Sequence, residues 1–439
     1  MDGGLAPGRR GCARAHARPD RRIRGAALNA TPTCRSCGTP LQHTFLDLGR
    51  QPLANSFLTQ EQLTEGDEGR YPLHARVCEE CLLVQVEEVV PPAEIFSDYA
   101  YFSSYSDTWL EHAARFAELA RERLGLDEGS LVLEIASNDG YLLRNFVEMG
   151  IPVHGVEPAA NVAQVAVAAG VPTEVAFFGL ERAEDLVARG FEADLVVANN
   201  VFAHVPDLDD FARGLARVLK PEGVISIEVP HLLRMIERTE FDTIYHEHFS
   251  YFSLLSCRDV LSRRGLRIFD VEELDTHGGS LRIWASHALS DRPETAAVER
   301  VLADERDAGL DSLDGYRAFA PRVEHVLAEL RRFLHQATAG GSRVAAYGAA
   351  AKGNTLLNSA GVTTEEVAYV VDRSPHKQGR FLPGSHLPIF EPDRVRRDRP
   401  AYLLVLPWNL KDEITAQMAD VREWGCRFVV PVPELELVP

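Results

Sequence analysis

Seven cysteines in 439 residues are too few for a disulfide-stapled scaffold, and no apolar run approaches the roughly 18 residues that span a bilayer. The start of the chain lacks the uninterrupted apolar segment of a secretory signal, so a cytoplasmic protein without membrane partners is expected. Basic residues are outnumbered, 46 Lys and Arg against 65 Asp and Glu, for a net charge of −19. Such a surface repels a broad polyanion, which disfavours nucleic acid, but it does not exclude a small anion in a local basic pocket. Hydrophobic residues at 45% and charged residues at 25% match ordinary globular proteins and exclude disordered and fibrous classes. What the chain does have is length, enough for two to four domains. Residues 1–30, with seven Arg and two Asp, differ from everything that follows. A transit peptide shares that composition; the preferred reading is a disordered Arg-rich leader or the product of an early translation start.

Four of the cysteines form two Cys-x-x-Cys knuckles, Cys34/Cys37 and Cys78/Cys81. A two-residue gap lets both thiolates face one tetrahedral ion, and two knuckles close a four-sulfur shell with no position for water, which predicts a structural zinc site. Next comes an aromatic segment, Ile95-Phe-Ser-Asp-Tyr-Ala-Tyr-Phe-Ser-Ser-Tyr105. It is either a loop packed on a neighbouring domain or an aromatic wall for a ring-shaped ligand, with Tyr101 as a substrate contact. From 107 to 124 apolar residues recur at helical spacing.

Strand and helix patterns then alternate. Strands are expected at 131–136, 153–156, 174–178, 194–198 and 224–229, with further segments at 266–271 and 280–286. This predicts an α/β domain with a parallel sheet covered by helices. A helical connector is expected at about 294–336, and a second, smaller α/β domain has strands at 343–347, 367–371, 402–406 and 428–432. The expected domains are 31–105 (zinc binding), 106–290 (cofactor binding), 291–340 (connector) and 341–439 (C-terminal α/β).

Ligands in such sheets bind at the carboxyl ends of the strands. The first strand runs into Glu134-Ile-Ala-Ser-Asn-Asp-Gly140, with glycine only at Gly140, a poor match to a pyrophosphate-binding fingerprint. The second ends at Glu157, placed to accept both ribose hydroxyls of an adenosine. Glu134 discriminates further: an acid beside this turn repels a pyrophosphate and suits the cationic ammonium and sulfonium of S-adenosylmethionine. Phe177 and Phe178 either flank adenine or pack in the core, and Asn199-Asn200 follows the fourth strand. These features resemble the class I methyltransferase (Rossmann-like) fold, with Ala136 and Asn138 standing where that family has glycines.

The densest polar segment is Tyr245-His-Glu-His-Phe-Ser-Tyr-Phe-Ser253. A His-x-His metal site has no third ligand at suitable spacing, and a solvated loop is the plain alternative. Acid–base chemistry is the preferred reading, with a histidine that titrates near neutrality beside Glu and Tyr. In the C-terminal domain, Lys352 and Asn354 follow a small-residue turn, and Lys377 lies in the loop after the next strand. They contact a pyrophosphate or nucleoside, or they belong to ordinary crossover loops; Trp408-Asn409 is a wall of the same pocket or core packing.

From about Cys34 to Val438 the chain resembles the bacterial deoxysugar C-methyltransferases that act on nucleotide-linked 4-keto sugars. The resemblance rests on the double knuckle, Ser97-Asp-Tyr-Ala-Tyr-Phe-Ser-Ser104, Glu134 to Gly140, Tyr245-His-Glu-His-Phe249, His277-Gly-Gly-Ser-Leu-Arg282 and Gly348-Ala-Ala-Ala-Lys-Gly-Asn354. It implies a zinc domain, a central S-adenosylmethionine-dependent methyltransferase domain and a C-terminal domain that helps hold the sugar nucleotide. It also implies His248 as general base, with Tyr245, Glu247 and Tyr99 around the sugar ring. The rival expectations are an O- or N-methyltransferase on the same substrates and an NAD-dependent sugar-nucleotide oxidoreductase. Monomer and small homo-oligomer both stay open.

Overall fold

Short strands form where aliphatic residues run together and are buried on both faces, as in Val132–Ile135 and Ala193–Asn199. The computed structural model describes residues 31–66, 68–96, 103–105 and 107–438. The expected leader, together with Tyr99 and Tyr101, lies outside the described residues.

Three sheets are present among them. The central sheet has seven strands in the order Leu266–Leu274, Ser280–His287, Leu219–Pro230, Ala193–Asn199, Val132–Ile135, Val153–Glu157 and Thr173–Val175. Six strands run in one direction, but Ser280–His287 is antiparallel to both of its neighbours. This corrects the expectation of a purely parallel sheet. Only 275–279 separate the last two strands, and a parallel crossover needs a dozen residues or more. The strand order reverses beside Val132–Ile135, which opens a cleft at the carboxyl ends of the central strands.

The first sheet joins His43–Gln51, Tyr71–Val77 and Val84–Val86 to Ser250–Tyr251, a strand that lies far downstream in the chain. The third sheet is built on parallel strands around Val344–Tyr347, closed by the antiparallel edge Glu436–Val438. Its strand expected at 367–371 is only Val370–Val371. The expected helical connector is two helices, Ala296–Asp307 and Phe319–Ala339, with the turn Leu313–Tyr316 between them. Phe319, Val323, Val326, Leu327, Leu330 and Leu334 are buried along one face of the longer helix, a burial worth on the order of 10 kcal/mol before ordering entropy is subtracted. Phe319 stacks on Phe45 of the first sheet with ring centroids 4.6 Å apart.

These contacts set the first sheet between the two α/β units. Phe45, Leu73, Ala75 and Val77 share a core with the C-terminal domain, whereas Cys34, Cys78, Cys81 and Leu83 share one with the central domain.

Candidate active site

The four knuckle sulfurs all lie within 4.8 Å of one another. That convergence fits a tetrahedral zinc ion held by Cys34, Cys37, Cys78 and Cys81. Gln85 donates its side-chain amide to the Cys34 sulfur at 3.1 Å, the kind of outer contact that orients a metal ligand. Arg35, inside the first knuckle, donates to the carbonyl of Pro206 at 2.8 Å and lies over the Phe249 ring.

At the central cleft, the turn after Val132–Ile135 holds Ala136, Asn138 and Gly140 at φ of 54°, 51° and 77°. Left-handed backbone at non-glycine residues costs energy and concentrates at ligand-binding turns. Glu157 ties this turn to the second strand: it accepts from the backbone N–H of Asn138 at 2.9 Å and of Ala159 at 2.8 Å. Each carboxylate oxygen retains a second acceptor position for a ribose hydroxyl. Burial pushes the Glu157 carboxyl up against the effect of those two donors.

Glu134 is 1% exposed, and its Oε2 has no hydrogen-bond partner. Burial first, then the charges of Glu157 and Asp139, raise its carboxyl well above the usual range. Asp139 Oδ1 and both polar atoms of the Asn199 amide are likewise buried without partners. Three acids gathered with no cation acting on Glu134 among the described residues, and an unpartnered amide, fit the ammonium and sulfonium of S-adenosylmethionine. Asn200, at φ 54°, turns the chain out of the fourth strand. Phe177 and Phe178 follow the third strand, which ends at Val175. Phe178 packs edge-on against Phe211 in the core, whereas Phe177 is 49% exposed and available to a ligand.

Residues 245–248 form a turn rather than the extended segment that alternation suggests. The backbone N–H of His248 donates to the Tyr245 carbonyl at 3.0 Å. The turn places the Tyr245 hydroxyl 2.8 Å from His248 Nε2. His248 Nδ1 is 2.9 Å from the Thr243 carbonyl. A carbonyl only accepts, so Nδ1 carries a proton, and in the neutral ring Nε2 holds the lone pair. Ala203, Pro230, Leu232, Met235 and Phe252 line a small cavity with His248. His246 is directed elsewhere, with Nε2 3.1 Å from the Pro72 carbonyl.

The Glu247 carboxylate accepts from Asn55 at 2.7 Å. Burial drives its pKa up to about 7 against the Asn55 hydrogen bond. Two neighbours were not legible in the sequence. His204 packs edge-on to His248 at 4.7 Å, and its Nδ1 is 2.7 Å from the Glu247 carbonyl; burial lowers its pKa to about 4. His204 follows Asn199-Asn200 by four residues, the one sequence signal that points to it; Asn55 carries none.

In the C-terminal domain the structure brings Lys352 and Trp408 together, with the ammonium 4.5 Å from the ring centroid. The Trp408 indole N–H donates to Asp242 at 2.8 Å. Burial raises the Glu240 carboxyl to about 8 despite the opposing charge of Lys352, and the same burial lowers Lys352. Lys377 sits apart, donating to the Ala349 carbonyl at 2.8 Å and facing Asp372. Asn354 is buried with its Oδ1 unpartnered, and Asn409 is exposed.

A seven-stranded sheet with a reversed penultimate strand, an acid at the tip of the second strand and a strained first turn define an S-adenosylmethionine-dependent methyltransferase, and residues 109–271 match the family model described as "Methyltransferase domain". Residues 34–96 match "Putative zinc binding domain" and 275–433 match "C-methyltransferase C-terminal domain". C-methyltransferase NovU of Streptomyces niveus is 38% identical over 405 residues, covering 92% of this chain and 96% of that protein. The chain therefore belongs to the C-methyltransferase family. A ubiquinone biosynthesis O-methyltransferase of Methylobacterium sp. (strain 4-46) is 33% identical over 100 residues, 22% of this chain and 39% of that one. Among solved structures, an S-adenosylmethionine-dependent methyltransferase of Clostridium acetobutylicum is 11% identical, with a TM-score of 0.33 over 40% of this chain and 92% of that one. No helix among the described residues is long and apolar enough to cross a membrane.

Proposed function

We propose that this enzyme, acting in the cytoplasm, methylates a carbon alpha to the ketone of a nucleotide-linked 4-keto-deoxysugar, with C3 of a dTDP-sugar as the preferred acceptor, in an antibiotic or glycan pathway. The observation that carries the reading is the placement of His248: Nδ1 anchored on a backbone carbonyl, and Nε2, the lone-pair nitrogen of the neutral ring, 2.8 Å from a tyrosine hydroxyl.

A hydrogen beside a ketone is removable because its loss gives an enolate. His248 Nε2 takes that proton. Once Nε2 is protonated it no longer accepts from Tyr245, and that hydroxyl donates instead to the enolate oxygen where negative charge has gathered. The Thr243 carbonyl holds the imidazolium in place. Glu247 is assigned to the sugar ring, as is Tyr99, which lies outside the described residues. S-adenosylmethionine, when bound, supplies the electrophilic methyl that the enolate carbon attacks. Glu157 holds its ribose, Glu134 its cationic end, and Asn138, Gly140, Asn199, Asn200 and Phe177 complete the cleft.

Lys352, Asn354, Lys377, Trp408 and Asn409 are assigned to the nucleotide half of the substrate; Tyr101, assigned to the sugar, lies outside the described residues. Support comes from the interdomain position of Lys352 and Trp408. The test is exchange of the substrate's alpha hydrogen with deuterated water, in the presence of a non-reactive cofactor analogue. Exchange by the wild type that disappears in His248→Asn supports the assignment; near-normal methylation by His248→Asn overturns it. An O- or N-methyltransferase exchanges no carbon-bound hydrogen.

A further inference from the structure

Glu247 is a buried carboxyl group whose side-chain partner among the described residues comes from a different domain, 192 residues earlier in the chain. Asn55 Nδ2 donates to Glu247 Oε1 at 2.7 Å, inside the range of strong charge-assisted hydrogen bonds. Asn55 lies in the loop between the strand His43–Gln51 and the helix Gln60–Glu65.

The C-terminal domain secures that loop on both sides of Asn55. Gln51 donates to the Ser359 hydroxyl at 2.8 Å. Leu58 and Phe381 exchange two backbone hydrogen bonds, at 3.0 and 2.9 Å. Between these anchors, Lys377 lies over the Phe57 ring at 5.5 Å, and within the loop the Phe57 N–H donates to the Asn55 carbonyl at 3.0 Å. On the other side, the backbone of Glu247 belongs to the turn that carries Tyr245 and His248, and its carbonyl accepts from His204. The zinc and central domains therefore meet at one carboxyl group, and the C-terminal domain holds the loop that reaches it.

We infer that Asn55 is a positioning residue of the proton-transfer site: its amide fixes the orientation of the Glu247 carboxylate in the turn that carries His248, so that the zinc domain, clamped by the C-terminal domain, completes the catalytic turn. An amide N–H is the right group for this task. It cannot lose its proton, and it offers no negative charge, so it stabilises the ionised form of a buried acid without competing for a proton. Burial opposes ionisation, and no charged side chain among the described residues offsets it. Among the described residues, the groups that face this segment include Asn55 and Tyr71 from the zinc domain, His204 from the turn after the fourth strand, Tyr251 from the strand that follows, and Tyr245, His246 and His248 from its own turn. His204 is held neutral by its burial. The catalytic consequence rests on the reading of Glu247 as part of the proton-transfer site; the pairing itself does not.

The test uses the full-length zinc-loaded enzyme. The carbonyl stretch of the Glu247 carboxyl, identified as the infrared band lost in Glu247→Gln, is followed against pH in the wild type, Asn55→Ala and Asn55→Asp. Loss of the amide donor is expected to move the titration to higher pH in Asn55→Ala. In the near-isosteric Asn55→Asp a second acid faces the first, and the upward shift is larger. Turnover is expected to fall about 10- to 100-fold in both, the range for a hydrogen bond to a charged group, with the KM for S-adenosylmethionine unchanged. Glu247 bands that titrate as in the wild type in both variants overturn the inference. A shifted titration with wild-type turnover upholds the pairing and overturns instead the reading of Glu247 as a participant in the reaction. If Asn55→Ala fails to fold, Asn55→Asp alone decides, because it keeps the size of the side chain and the loop.

Discussion

Gln85 donates to the sulfur of Cys34 and, in the strand Val84–Val86, pairs with Ser250, two residues after His248. The cysteine knuckle and the turn that carries His248 are thus joined through one pair of strands. Val86 extends the link with a backbone hydrogen bond to the Phe249 carbonyl at 3.0 Å. Arg35 adds a second tie, from between two of the cysteines to the Pro206 carbonyl beside the turn that carries His204.

One zinc per chain is expected by metal analysis, and its removal is expected to loosen the catalytic turn. Hydrogen exchange at the Val86 amide should accelerate when a chelator strips the metal or when Cys34 and Cys81 are replaced by Ser. Unchanged exchange in the metal-free protein would separate the knuckle from the site.

His248→Asn should lower turnover on the order of 10²–10⁴-fold, because Asn cannot accept a proton near neutral pH. Cofactor and sugar-nucleotide binding, read by calorimetry, should survive. His246→Gln should act on stability instead, by about 1 kcal/mol for the hydrogen bond to the Pro72 carbonyl, with turnover of the folded enzyme retained.

His204 and Glu247 should tilt stability against pH in opposite directions. His204 titrates near 6.5 when unfolded and about 4 when folded, so the stability it confers is full above pH 6.5 and is lost as pH falls toward 4. Glu247 titrates near 4.5 unfolded and about 7 folded; its contribution is full below 4.5 and is lost as pH rises through 7. Each effect is about 3 kcal/mol, and the two oppose each other between pH 4.5 and 6.5. Urea unfolding at pH 5 and pH 7 should show a fall in stability with rising pH in His204→Gln and the reverse slope in Glu247→Gln.

Glu157→Ala should weaken S-adenosylmethionine binding about tenfold or more, at the cost of hydrogen bonds to a charged acceptor, while sugar-nucleotide affinity stays nearly constant. Equal cofactor affinity in both proteins, measured by calorimetry, would remove Glu157 from the ribose site.

Trp408→Phe should destabilise the protein by about 1–3 kcal/mol. It takes the indole donor from Asp242, which is wholly buried and already has one oxygen without a partner. Denaturant melts test the structural role, and nucleotide titrations of Lys352→Ala test the neighbouring cation's assignment to the substrate.

Local chemistry determined much of this protein. Cys-x-x-Cys spacing is a property of four residues and their immediate backbone, so the four-sulfur cluster was legible before any fold was known. The alternation of buried strands and amphipathic helices set out the central domain, and acids at 134 and 157 marked the cleft, because strand ends and turns are local features. Tertiary structure decided the rest. The reversal of Ser280–His287 came from a connection too short for a crossover. Phe177 and Phe178, equivalent in sequence, parted because only one found a core partner in Phe211. The zinc domain's fourth strand, Ser250–Tyr251, and the partnership of Asn55 with Glu247 join residues about 165 to 192 positions apart. No local pattern encodes such pairs: each residue's own neighbours are satisfied by many conformations, and only packing three domains around one turn selects the conformation in which they meet.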